Sequence, residues 1–258
     1  MTELRREQNL LLDFSHVYPE GIERQAEGLK RINLSDISGT DMYCTREAAD
    51  EIRKRLKDWS PRGIHFLDSG NYHYVTLFFA EKIHIPFSLV LFDHHTDMQE
   101  PMFPQLLSCG SWAGELLRRS RYLEQMILIG PEEKSIEGID QKLRDRIIWL
   151  KESDRKLADE ERKKINLSLP IYVSIDKDVL SPRYARTNWN QGNMSVNILE
   201  NILLEVFWHQ DVIGVDICGE CSMLEPLQQL SEDEKVNGET NRSLYQFLSR
   251  LFGWERKN

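Results

Sequence analysis

Short apolar runs alternate along this chain with longer amphipathic segments, and that alternation leaves few folds open. "SLVLF" and "MILIG" are apolar without a break, the pattern of strands buried on both faces of a sheet. "NLLLDFSHVY" (9–18) predicts a first strand and "LKRINLSD" (29–36) a second. "GIHFLDSG" (63–70), "FSLVLFD" (87–93), "EQMILIG", "DRIIWL", "PIYVSID" and "DVIGVDI" predict the rest. Helices are expected between them. "TREAADEIRKRLKDW" (45–59) repeats Ala48, Ile52 and Leu56 at helical spacing behind a Thr45 cap. "YVTLFFAEKI" (74–83) reads as a buried helix, and "GSWAGELLRRS" as another. "NILENILLEVFWH" carries Ile198, Ile202 and Val206 on one stripe, and "NRSLYQFLSRLF" predicts a closing helix. The very polar stretch 152–168 reads as a solvated helix or an insertion. Strand–helix alternation implies an α/β class with a parallel sheet covered on both faces. No linker interrupts it, so residues 1–258 are expected to form one domain.

Composition excludes several function classes. A net charge of −9 argues against a nucleic-acid partner. No apolar run reaches membrane-spanning length, and "NLLLDF" is too short for the core of a signal peptide, so a soluble, cytoplasmic protein is expected. Four cysteines (Cys44, Cys109, Cys218, Cys221) are too few for a disulfide scaffold in 258 residues. There is no phosphate-binding loop, dinucleotide fingerprint or nucleophile elbow.

The informative residues follow the apolar runs. "DSGNYH" follows "GIHFL", "DHHTD" follows "SLVLF", and "DKD" follows "IYVSI". Ligands of open parallel sheets bind beyond the carboxyl ends of strands. If the backbone stays extended there, Asp93, His95 and Asp97 share one face, as do Asp176 and Asp178, with His94 turned away. Four carboxylates gathered at one place need a counter-charge, and two divalent cations would supply it. His73 and His95 add nitrogen donors, a mixture that suits manganese better than calcium. Two ions sharing carboxylates would lie roughly 3.5–4 Å apart. Each cluster alone has a plainer explanation, since Asp-x-Asp after a strand is commonly a turn or helix cap. Three such clusters, each behind a strand, favour metal.

"FDHHTD" and "VSIDKDVLSP" resemble the signature blocks of the arginase and agmatinase family, the ureohydrolases. "SGNYH" is similar to that family's Gly-Gly-x-His block with one residue added, and "GVDICGE" to its late Asp-x-x-Glu block. The resemblance implies a three-layer α/β/α sandwich around an eight-stranded, mostly parallel sheet. It implies two Mn²⁺ per chain: His73 and Asp97 on one ion, His95 and Asp178 on the other, Asp93 and Asp176 bridging. It further implies hydrolysis of a C–N bond in a small cationic guanidino or amidino compound by a metal-bridging hydroxide, with urea released from a guanidino substrate. Asp97 would carry the proton and Glu220 would hold the substrate cation, although Glu220 stands one position beyond the family's acid. Cys109 takes the place of a loop His that the family commonly has. A homo-oligomer, trimer or hexamer, is the family's habit.

Other readings stay open at this point. A metal-dependent deacetylase shares the fold and the Asp-x-His pair but normally needs one zinc. A non-catalytic metal protein would keep the ligands and lose the substrate contacts. Cys218 and Cys221 form a CxxC that packing explains better than redox chemistry. Trp112 and Trp189 are expected as core or rim residues near the site, and Arg183 or Arg186 as a carboxylate contact or plain surface.

Overall fold

The computed structural model describes residues 8–22, 26, 28–101, 103, 106–150, 163–221 and 227–255. Eight strands form one sheet: β1 (Asn9–Asp13), β2 (Leu29–Asn33), β4 (Gly63–Phe66), β5 (Phe87–Phe92), β7 (Leu123–Ile129), β8 (Ile147–Leu150), β9 (Ile171–Asp176) and β10 (Val212–Cys218). Their order is β2-β1-β4-β10-β9-β5-β7-β8, and every neighbouring pair is parallel. The two-residue strands β3 (Tyr43–Cys44) and β6 (Leu107–Ser108) pair antiparallel outside that sheet.

The unbroken apolar strands do face two cores. Phe87, Leu89 and Leu91 of β5 join one buried cluster, and Val90 and Phe92 join the other. Each such fully buried side chain contributes about 1.5–3 kcal/mol relative to exposure; the polar residue of β5, Ser88, is buried too and accepts from Gln125 Nε2 at 2.9 Å. Helices α1 (Arg46–Leu56), α2 (Val75–Ala80) and α3 (Trp112–Arg119) cover the first face. Two short helices, α4 (Glu133–Glu137) and α5 (Gln141–Arg144), precede β8. Helices α6 (Val196–His209) and α7 (Leu227–Glu255) cover the second face. The result is a three-layer α/β/α sandwich.

Local signals place most boundaries. The Thr45 hydroxyl accepts from the Ala48 amide at 3.2 Å and starts α1, which buries Ala48, Ala49, Ile52 and Leu56. Ser195 caps α6 in the same way. Ile198, Ile202 and Val206 lie on one half-buried stripe packed against the second core, beside the fully buried stripe of Leu199, Leu203 and Phe207. The helix is apolar around much of its circumference, and periodicity cannot choose between adjacent stripes.

The closing helix is also far longer than its apolar part. The inner face of its first half is mostly polar: beside buried Leu230, buried Asp233, Asn237, Thr240 and Asn241 fasten it to the 183–193 loop and the strand ends. Asn237 exchanges two 2.8 Å hydrogen bonds with the Arg186 backbone. Arg186 pairs with Asp233 at 3.4 Å, so its charge is used inside the fold. Arg183 lies over the Tyr184 ring. Most of the 152–168 segment lies outside the described residues; 163–168 form turns.

Because all eight strands run in one direction, their carboxyl ends share one edge. Asp13, Asp93, Asp176 and Cys218 end or directly follow β1, β5, β9 and β10 at that edge, and Asp68 lies just beyond β4.

Candidate metal centre

Two Asp-x-His/Asp turns build the centre. Asp93 Oδ1 accepts the His95 amide at 2.6 Å, and Asp176 Oδ1 accepts the Asp178 amide at 2.9 Å. In each case the first acid caps its own turn and holds the residue two places on. The chain therefore does not stay extended past β5 and β9, as the spacing argument supposed. It bends at residues 94–95 and forms a 3-10 turn at Lys177–Val179, and Asp97 has φ of 51°. The same side chains still converge, because the acids fold the backbone around themselves. Turn-capping and cluster membership are thus both true of Asp93 and Asp176.

Three groups of donor atoms close enough to share a cation occur among the described residues. They are His73–Asp93–Asp97, Asp93–His95–Asp178 and His73–Asp176–Cys218. His73 Nδ1 lies 3.0 Å from Asp97 Oδ2, 3.3 Å from Asp93 Oδ2 and 3.6 Å from Asp176 Oδ2. His95 Nδ1 lies 2.8 Å from Asp178 Oδ2 and 3.5 Å from Asp93 Oδ1. Asp93 belongs to two of the groups and so joins the two histidines. All six residues expected as ligands meet here. His94 does not join: its amide donates to Asp178 Oδ1 at 2.9 Å, while its ring lies edge-on to His95.

Residues around the cluster fix its members. His73 Nε2 faces the Ser174 hydroxyl at 2.8 Å, which leaves Nδ1 toward the acids. Ser174 itself lies two residues before Asp176 on β9, the same face of the strand. The Trp112 indole N–H donates to Asp97 Oδ2 at 2.6 Å. Trp189 sits 6.0 Å from His95 and hydrogen-bonds Asn71. A Cβ on Gly70 would lie 2.8 Å from the Trp189 ring and 3.0 Å from Asp176 Oδ2, so only glycine lets the tryptophan settle this close.

The electrostatics call for a cation. Burial first, and the charge of neighbouring carboxylates second, push Asp176 and Asp178 well above the usual carboxylate range. Burial opposes a charge on His95, yet Asp178 and Asp93 outweigh it and raise the imidazole to about 11. Burial likewise drives the Cys109 thiol to about 12, with Asp97 adding to the effect. Two buried atoms that face each other, His73 Nδ1 and Asp93 Oδ2, have no hydrogen-bond partner. Buried polar atoms are rarely left so. A cation between them satisfies both, and hard carboxylate oxygens with imidazole nitrogens fit a divalent ion of the manganese type.

Glu220 is not brought into this cluster. Its Oε1 accepts from Lys177 Nζ at 2.5 Å and from Asn241 Nδ2 at 2.8 Å, and both Lys177 and Glu220 are buried. Gly219, with φ of 94°, turns the chain just before it. Glu220 and Cys221 line a separate cavity of about 730 Å³ beneath α7, with Tyr18, Asn241 and Tyr245. The expected contact with a substrate cation is replaced by an internal lysine, which already neutralises the carboxylate.

Comparison with known proteins agrees with this architecture. The arginase family model matches residues 5–223.

The chain belongs to the arginase family.

It is 33% identical over 228 residues to an uncharacterized protein of Thermotoga maritima, covering 88% of this chain and 85% of that one. It is 27% identical over 214 residues to an agmatinase of Bacillus anthracis, covering 78% and 70%. Among solved structures, proclavaminate amidino hydrolase from Streptomyces clavuligerus superposes with a TM-score of 0.63 at 16% identity, covering 95% and 93%. The agmatine ureohydrolase of Thermoplasma volcanium gives 0.60 at 13%, covering 97% and 92%. These two likenesses establish the fold of this arginase-family chain, a hydrolase of the ureohydrolase kind by its family and relatives. No helix among the described residues is long and apolar enough to cross a membrane.

Two neighbours of the centre are less legible in the sequence. Cys218 packs in the first core cluster, as expected, and also ends β10 at the edge where the acids gather, 3.2 Å from Asp176 Oδ2. That position was the available signal. The indole donor of Trp112 had none, because it depends on the bend that sets Asp97 against α3.

Proposed function

We propose that this protein is a binuclear, manganese-dependent hydrolase that cleaves a C–N bond in a small guanidino or amidino compound. One observation carries the reading: Asp93 joins two histidine-containing donor groups, so two cations would share its carboxylate. His73, Asp97, Asp93 and Asp176 would hold one ion, and His95, Asp178, Asp93 and Asp176 the other. Bound divalent ions supply counter-charge and Lewis acidity, which brings water within reach of deprotonation near neutral pH.

The chain's own residues do the rest. Ser174 faces His73 Nε2 at 2.8 Å; with the ring proton on Nε2 its hydroxyl would accept it and leave the Nδ1 lone pair turned inward, the usual arrangement behind a ligating imidazole. Asp97 has the most exposed side chain of the four carboxylates, at 9%. It is placed to take a proton at its carboxylate and return it to the leaving amine. Trp112 limits the motion of Asp97 by holding one oxygen. Trp189 presents an aromatic surface beside His95 against which a planar cation can rest. Four free, buried cysteines suit a reducing, cytoplasmic setting.

The decisive test is purification with manganese, metal counting, and assay of urea release from arginine, agmatine and related guanidino compounds, with acetate release from acetylated amines alongside. Two manganese ions and urea are expected. Asp93→Asn removes the shared carboxylate, so tight binding and turnover are expected to fall together. Retention of both ions in that variant, by elemental analysis, contradicts the shared-ligand assignment. The engagement of Glu220 by Lys177 favours one second reading, an arginase-fold metal protein whose substrate is not a guanidino compound. Its signature is two ions without urea.

A further inference from the structure

We infer that Cys218 is a metal ligand, giving the His73 side of the centre a thiolate donor that the His95 side lacks. The inference deepens the two-cation reading and rests on it.

Cys218 is the last residue of β10 and is fully buried at the carboxyl edge. Its Sγ donates to Asp176 Oδ2 at 3.2 Å, and Sγ, Asp176 and His73 form a compact donor group. The second, independent sign of a ligand is His73 Nδ1, which is buried, lacks a hydrogen-bond partner and points into that same group. The backbone is arranged to allow the approach. At Gly219 a Cβ would lie 2.5 Å from Asp176 Oδ1 and 2.8 Å from the Lys177 amide, so any other residue would force β10 away from β9 just where Cys218 reaches the acid. The positive φ of Gly219 adds to that demand. Cys221 shares none of this geometry, because it lines the cavity beneath α7. Cys218 and Cys221 therefore serve different places despite their CxxC spacing.

Ligation requires loss of the thiol proton, which passes to solvent buffer as the cation takes its place against the sulfur. Thiolate is a soft donor. At a site otherwise built of carboxylate and imidazole it raises affinity for zinc, cobalt and iron much more than for manganese. The two positions of the pair then differ: the His73 position is mixed sulfur, nitrogen and oxygen, and the His95 position is nitrogen and oxygen alone.

The test is cobalt(II) titration of the full-length protein, with metal counting and near-ultraviolet absorption. A thiolate-to-cobalt charge-transfer band is expected to saturate with one of two bound equivalents. It is expected to vanish in Cys218→Ser while two equivalents still bind. Zinc affinity of one equivalent in that variant should fall by about tenfold or more, the scale set by losing even an outer partner of a ligand. A variant that keeps only Cys218, with Cys44, Cys109 and Cys221 replaced by Ser, is expected to retain the band. Two bound cobalt ions without the band overturn the thiolate assignment and leave the two-cation reading standing. A band that persists in Cys218→Ser, or is lost from the variant that keeps only Cys218, overturns it as well. Failure to bind two equivalents in the unsubstituted protein defeats the underlying reading instead, and the inference with it.

Discussion

Two acid-rich regions lie side by side at the carboxyl edge of this sheet, and they solve the same electrostatic problem in opposite ways. Beyond β4 and β10, Glu220 takes the buried ammonium of Lys177 and the amide of Asn241. Asp68 nearby accepts from the Phe14, Ser15 and Ser69 amides and the Ser15 hydroxyl. That region is satisfied by the chain itself. Beyond β5 and β9, Asp93, Asp97, Asp176 and Asp178 face two imidazoles and a thiol, with His73 Nδ1 and Asp93 Oδ2 unpartnered. In that region three groups of donor atoms lie close enough to share a cation. Acidity alone does not mark a functional site; what marks it is acidity that the fold has declined to neutralise.

The largest effect that sharpens this contrast is stabilisation by metal. A cation that binds only the folded chain adds about 4 kcal/mol per site at a thousandfold excess over its Kd. Manganese should therefore raise the midpoint of thermal or denaturant unfolding strongly. A chelator-treated sample that shows no gain on adding metal breaks the contrast. Next comes Lys177→Met, which strands a buried carboxylate and should cost about 3–5 kcal/mol. The further change Glu220→Gln should recover much of that loss in a double-mutant cycle. Neither substitution should alter the increment gained from metal, if the two regions are independent.

A smaller effect concerns pH. Burial raises Asp68 to about 6 despite the hydrogen bonds that favour its charge. In the folded state it keeps its proton over a range where the unfolded chain, near 3.9, has released it. Its contribution to stability is thus full below about pH 4 and is lost as pH rises to about 6, a change of about 2–3 kcal/mol. Asp68→Asn should lack that slope, so the stability difference between wild type and variant should change by about 2 kcal/mol between pH 4.5 and 7, measured by urea unfolding. The mildest perturbation is Trp112→Phe, which takes one hydrogen bond from Asp97. Metal affinity should drop roughly 10- to 100-fold with little change in the unfolding of the metal-free chain.

The sheet was legible because its central strands are short and largely apolar at both parities. The centre was legible because its acids and imidazoles come in tight sequence blocks behind those strands. What stayed hidden depends on contacts rather than pattern. The first half of α7 buries Asp233, Asn237, Thr240 and Asn241, so its inner face carries no apolar period. Neighbouring apolar stripes on α6 could not be ranked without knowing which way the sheet lies. The fate of Glu220 turned on one glycine and on a lysine forty-three residues earlier. Which acid would find a partner inside the chain was a matter of three-dimensional neighbours.

The paired Asp turns have a consequence for selectivity. Asp93 and Asp176 each commit Oδ1 to an amide two residues downstream before any ion arrives. The Oδ2 atoms are left as pre-set jaws whose gap is dictated by the main chain. Either carboxylate could swing to suit a larger guest only by giving up the amide that anchors it, so the main chain limits how far the pair can adapt.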